Sequence, residues 1–190
     1  MTRATHWTTV AVPAAAAMVL RQPLESSMAL HMLVQLPLLV LAGVQLGRPA
    51  DGARSRTADA WDPHGIAGLL LATCLVSAWM IPRALDAAVA ELRVDAVKAL
   101  VLVAAGAMGA DAWTRAPLAV RLFMGGNLGW MLASMGVLLA STPVRLCAQY
   151  ALRDQLAAGY GLVALVAALA AVACWPLMRP RATYQLPRAP

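Results

Sequence analysis

The chain has 190 residues, 61% of them hydrophobic and 13% charged, and a formal net charge of +6. So apolar a composition excludes an ordinary soluble domain of this length and indicates an integral membrane protein, built as a single domain over residues 1–190. The basic residues are scattered over every connection and gathered on no aromatic-studded face, so the expected partner is membrane lipid and not nucleic acid.

Taken in chain order, apolar runs predict an all-α bundle of six transmembrane helices at Thr8–Leu20, Ser27–Leu46, His64–Ile81, Val94–Asp111, Leu118–Ser141 and Ala157–Met178. Most approach the ~20 residues needed to cross about 30 Å of hydrocarbon. The first run is short and holds Pro13, and Arg3 followed by an Ala run reads as either a retained helix or a signal peptide. A tight turn over residues 21–27 between two antiparallel helices favours retention. Residues 47–63 form a polar loop ending in Asp62-Pro63, which reads as N-cap and N1 of the third helix, with His64 in its first turn. Pro82 should close that helix, and residues 83–93 suit a short amphipathic helix at the interface. The tail, residues 179–190, carries Pro180, Pro187 and Pro190 and should be irregular.

With six spans, nine Lys and Arg residues share the side of both termini and six lie on the other. The bias predicts cytoplasmic termini in a bacterial inner membrane.

The second run carries the main polar signal. Glu25, Met28, His31, Met32 and Gln35 fall on one side of a helical wheel in a segment otherwise suited to lipid. Ionisable side chains in such a helix face the protein interior and often mark function. Two readings of the stripe stand. Thioether and imidazole donors suit Cu(I), with Met28, His31 and Met32 as candidate ligands and Glu25 and Met80 as supporting residues. Alternatively, Met fills irregular gaps in a core and His31 bonds a neighbouring polar group. Met18 and Met135 could join the first arrangement, whereas His64 lies at the opposite membrane face.

Cys74, Cys147 and Cys174 are isolated and read as free thiols. Without paired carboxylates, an activated nucleophile or a complete metal shell, the chain is expected not to be an enzyme. Haem is a weaker alternative, with His31 and either Met80 or Met135 as axial ligands. Gly125 and Gly129 form a GxxxG spacing around Asn127, which suits close packing with a helix of this chain or of a neighbouring subunit.

The segment SSMALHMLVQLPLLVLAG resembles the signature helix of the CtaG family of polytopic cytochrome oxidase assembly factors, through His31-Met32, Pro37-Leu38-Leu39 and Gly43. Trp79 to Pro82 is similar to a tryptophan-x-x-proline helix end, and Asp154-Gln155-Leu156-Ala157-Ala158-Gly159 to the family's DQxxAG motif. Gln35 stands where the family has a second His, and an amide is a weak ligand for a soft metal. The resemblance implies a factor that matures the copper centre of a haem-copper respiratory oxidase and holds Cu(I) on the periplasmic side, with an oxidase subunit as partner. The alternative is a non-catalytic accessory or scaffold subunit of a respiratory complex, with no metal of its own.

Overall fold

The computed structural model describes Val12 and residues 15–47 and 60–178. Within them the secondary structure is entirely helical. We number the helices α1 (Arg21–Glu25), α2 (Met28–Gly47), α3 (Ile66–Trp79), α4 (Pro82–Ala90), α5 (Leu92–Arg115), α6 (Leu118–Ser141) and α7 (Leu152–Met178). Of the first expected span, Thr8–Leu20, residues 15–19 are helical and most of the rest lies outside the described residues, as do the middle of the polar loop and the tail at 179–190.

Among the described residues, three helices are long and apolar enough to cross a membrane: Met28–Gly47, Leu118–Ser141 and Leu152–Trp175. The pair α3 and α4 would make a fourth span if counted together, but it bends by 68° at Met80-Ile81, just before Pro82. Pro82 sits in the first turn of α4, where its missing N–H costs nothing. Helix α5 has the length of its neighbours, yet it buries Asp95 and Lys98 within its first two turns and ends on Asp111 and Arg115. Its charge content sets it apart from the three helices that qualify as spans.

Helix α5 is the hub, packing against α2, α3 and α4, while α7 packs against α6 and the start of α2. Small residues permit the closest approaches. A Cβ on Gly43 would collide with the Val103 carbonyl, and one on Gly106 with the Val40 carbonyl, so α2 and α5 touch backbone to backbone. Gly136 and Gly159 do the same between α6 and α7, where an added Cβ would come within 2.9 Å and 2.7 Å of the opposing backbone. The GxxxG spacing that packs is therefore Gly43-x-x-x-Gly47, not the expected Gly125-x-x-x-Gly129. Nothing lies within 4 Å of a Cβ on Gly126, and Gly125 and Gly129 meet only single side-chain atoms at 3.9 Å.

Contacts sort the connections into two ends. At one end Asp62 caps α3 from outside the helix, its carboxylate accepting from Gly68 N (2.8 Å) and Ala67 N (3.3 Å). The N-cap position itself belongs to Gly65, whose φ of +65° favours glycine, so His64 lies in an exposed turn and not in the first helical turn. Burial raises the Asp62 pKa, but these backbone donors and Arg115 outweigh it and hold the carboxyl below its usual range. Arg115 also pairs with Asp111 and donates to the Asp62 carbonyl (3.0 Å). At the other end Asp86 of α4 accepts from Ala148 N (2.7 Å) and Gln149 N (3.3 Å), and Cys147 Sγ donates to the Pro82 carbonyl (3.6 Å).

Close backbone approach makes a specific demand. Gly43→Leu or Gly106→Leu should sharply lower recoverable monodisperse protein and destabilise it by about 1–3 kcal/mol or more. Gly126→Leu should leave both unchanged, and equal damage at all three positions would contradict the packing described.

Candidate functional site

The polar stripe of α2 is widened at its centre. Residues His31–Gln35 form a π-helical turn, with Leu36 N–H bonded to the His31 carbonyl. Pro37 follows immediately, has no N–H to donate, and crowds the carbonyl one turn back. Lengthening the preceding turn accommodates that ring, and π-turns are frequent at functional sites.

All five stripe residues point inward. Met28, His31, Met32 and Gln35 are buried and Glu25 nearly so. Across from them, α5 contributes Asp95 and Lys98, both fully buried, and α1 contributes Arg21. Arg21 Nε lies 2.9 Å from Glu25 Oε2 and 3.0 Å from Asp95 Oδ2. Lys98 Nζ lies 3.2 Å from Glu25 Oε1 and 2.7 Å from Asp95 Oδ1. Two cations and two carboxylates thus alternate in a closed, neutral ring. Neither Asp95 oxygen meets a donor in hydrogen-bond alignment, although both are in ion contact. Asp95 is held by charge more than by directed bonds.

His31 extends the ring. Its Nε2 is 2.8 Å from Lys98 Nζ and its Nδ1 is 2.7 Å from the Tyr150 hydroxyl. A charged ammonium can only donate, so Nε2 is the acceptor, the imidazole is neutral, and Nδ1–H donates to Tyr150. Burial, with the Glu25 charge next, pushes the Tyr150 hydroxyl well above its usual pKa, which keeps it protonated. Gln35 completes the centre: its Nε2 donates to the Ala17 carbonyl (3.3 Å) and Glu25 Oε1 (3.4 Å), while its Oε1 accepts from Lys98 (3.4 Å).

The remaining expected residues fall into three groups. Met80 is buried in the same apolar core as Met28 and Met32, and Met135 packs against that core. Met18 is 40% exposed and is not part of that core. Gln155 acts as a staple. Its Oε1 accepts from Leu146 N (2.8 Å), and its Nε2 donates to the carbonyls of Leu139 (3.2 Å) and Val144 (3.2 Å), fixing the connection that carries Tyr150. Burial and then the Asp86 charge push the Cys147 thiol up to about 12, so it stays protonated and a poor metal ligand.

As arranged, the centre does not fit Cu(I). Both imidazole nitrogens of His31 are engaged, one of them by a positive charge standing where the ion would lie. Among the described residues, no three His, Cys, Asp or Glu side chains are close enough to hold a metal ion. Asp95, Lys98, Arg21 and Tyr150 carry no local signal of a site; the one available hint is a Lys within an otherwise apolar run, spaced i,i+3 from an Asp. Compared with known proteins, the chain matches no family, no curated relative and no solved structure.

Removing one partner of a buried ion pair leaves an uncompensated charge and typically costs about 3–5 kcal/mol. Lys98→Met should therefore destabilise the detergent-purified protein by that order, read as a fall in melting temperature. Tyr150→Phe gives up one buried hydrogen bond and should cost about 1–3 kcal/mol. A Lys98 variant as stable as the parent would show that the ring does not form.

Proposed function

We propose that this chain is a multi-pass bacterial inner-membrane protein that assists assembly of a haem-copper respiratory oxidase as a non-catalytic scaffold, without carrying copper. The observation behind this reading is convergence. The three segments that resemble the CtaG assembly factors meet at one end of the bundle: His31 through Tyr150, Pro82 through Cys147, and Gln155 through Leu146. All three segments contact residues 146–150, so a single connection ties these distant motifs together.

A scaffold suits the polar centre better than a copper carrier does. The ring is neutral and closed, so it specifies helix register without needing an ion, the best-attested role for buried charge. Helix α6 also offers a client a small-residue face, since Gly125, Gly126 and Asn127 are exposed and this chain leaves the space over Gly126 open. Copper carriage by Met28, His31 and Met32 is the second reading, favoured by the burial of both methionines beside Met80 in one core. It requires Lys98 to move away from His31.

The finer topology belongs to the same proposal: six spans with both termini cytoplasmic. Reporter fusions after Gly52 and Arg181 should read cytoplasm and one after Ala87 periplasm; a periplasmic signal at Gly52 would reverse the orientation. Cells lacking the chain should lose assembled oxidase activity at least several-fold, while the wild-type protein purified under reducing conditions should hold far less than one copper per chain. Oxidase at parental levels in the deletion would end the assembly reading, and stoichiometric copper would put copper carriage first. Gly126→Leu with Asn127→Leu should reduce co-purification of the oxidase without lowering stability.

A further inference from the structure

We propose that the groove between α5 and α6 binds one anionic phospholipid, with an acyl chain in the groove and the phosphate on Arg121. Helices α5 and α6 are joined only by Ala116 and Pro117, yet they diverge: α6 packs on α7 and touches α3, and has little contact with α5. The wedge left open has a volume of about 520 Å³ and is walled by Val40 and Val44 of α2, Val76 of α3, Gly109 and Trp113 of α5 and Leu128 of α6. That size falls within the range of small-molecule sites, about 300–1,000 Å³.

The lining selects an apolar occupant. Apart from the Trp113 indole, its only polar side chains are Thr73 and Thr114, and each hydroxyl donates to a carbonyl of its own helix, Leu69 and Asp111, at 2.8 Å. An ordered water needs about two to four polar partners, more than these walls offer. Along α5 the lining runs from Ala105 to Thr114, a length of about 14 Å at the helical rise. This is close to half of the ~30 Å hydrocarbon thickness, the depth of a single leaflet. A lipid chain has that length and that chemistry, and a polar solute has neither.

The groove ends at a charge. Arg121 Cζ stands 5.9 Å from the centre of the Trp113 ring, and Nε and Nη2 donate to the carbonyls of Ala116 (2.8 Å) and Thr114 (3.3 Å). These contacts hold the guanidinium beside the last two residues of α5 in the lining. The carboxylates of Asp62 and Asp111 are held by Arg115, and among the described residues Arg121 pairs with no carboxylate. Its remaining N–H groups suit a phosphate, which a guanidinium grips through paired bonds. Trp113 fits the same depth, since its ring favours the boundary between hydrocarbon and headgroups. The site rests on the membrane part of the function proposed above and is independent of the oxidase.

The test offers the full chain in detergent equal amounts of dioleoyl phosphatidylglycerol and dioleoyl phosphatidylcholine, and reads bound lipid by native mass spectrometry. The wild type should retain one phosphatidylglycerol per chain, several-fold over phosphatidylcholine. Arg121→Gln should bring that preference near parity, whereas Arg121→Lys, which keeps the charge, should preserve most of it. Gly125→Phe fills the groove from α6, where an added Cβ meets only Trp113 at 3.9 Å, and Thr73→Phe fills it from α3. Each should abolish retention of either lipid without lowering the melting temperature of the lipid-free protein. Inorganic phosphate should neither displace the lipid nor raise the melting temperature. The proposal is overturned if the wild type retains no lipid or holds both equally, or if its preference survives in Arg121→Gln. It is equally overturned if a folded Phe variant retains lipid as the wild type does, or if phosphate alone reproduces the stabilisation given by phosphatidylglycerol. Should neither Phe variant fold, the wild-type and Arg121 comparisons decide it. Oxidase assembly is not read in this experiment, so the lipid site and the scaffold role stand or fall separately.

Discussion

Four charges buried among apolar helices can persist together only if each is answered, and the alternation of Arg21, Glu25, Lys98 and Asp95 answers all of them. Each ion costs several kcal/mol to desolvate, and mutual attraction offsets that cost only in good geometry. The charges come from two elements, α1 and the first turns of α5, and the π-turn of α2 is joined to them where His31 and Gln35 meet Lys98. None of them can shift along its axis without separating a pair. The ring therefore acts as a register lock between helices whose apolar faces alone would slide, because lipid tails and helix side chains are equally apolar and provide little hydrophobic preference for one alignment.

The lock also accounts for the backbone contacts further along. With α5 fixed against α2 at Lys98, the small residues of both helices fall opposite the partner backbone: Gly43 against Val103, Gly47 against Ala107, and Gly106 against Val40. Polar fixation at one end and close glycine packing along the shaft are two parts of one interface. At the far end Asp62 and Arg115 tie the α3 cap to the end of α5, so the hub helix is held at both termini. The core of methionine and leucine between them needs no precise shape of its own, which is a setting in which Met is well used.

Much of this is legible in the sequence, and what is not has a physical reason. Apolar run lengths locate α2, α6 and α7 to within a few residues, because period and length are local properties. The inward orientation of Glu25, Met28, His31, Met32 and Gln35 is legible too, since a polar side chain in a lipid-embedded helix has one tolerable direction. Their partners are not. Asp95 and Lys98 look like residues at a helix start, and on sequence alone Lys98 counts as one more basic residue of the outer connections. Tyr150 lies in a connection with no periodicity, positioned by the Gln155 staple. Pairing across helices depends on tertiary register, which single-helix patterns do not encode. The same holds for GxxxG: the spacing occurs at Gly43 and again at Gly125, and only the first is on a face that meets another helix. A small-residue motif says that close approach is allowed, not that it takes place.

The chemistry of His31 illustrates how a neighbouring residue can redirect a motif. An imidazole flanked by two buried thioethers offers a soft site as long as its lone pair is free. Here a lysine three helices on in sequence delivers a cation to that lone pair, and the hydroxyl of Tyr150 accepts from the other nitrogen. Gln35 then contributes an oxygen to the same cation. Together the two substitutions of role convert a soft, ligand-seeking wall into a hard, self-neutralised one. The methionines are left as packing, and the helix keeps its shape because the volume, the π-turn and Pro37 are unchanged by what the polar groups bind. Fold and metal chemistry are thus separable in this helix: the first rests on apolar spacing and the proline, the second on whether an ammonium stands in front of one nitrogen atom.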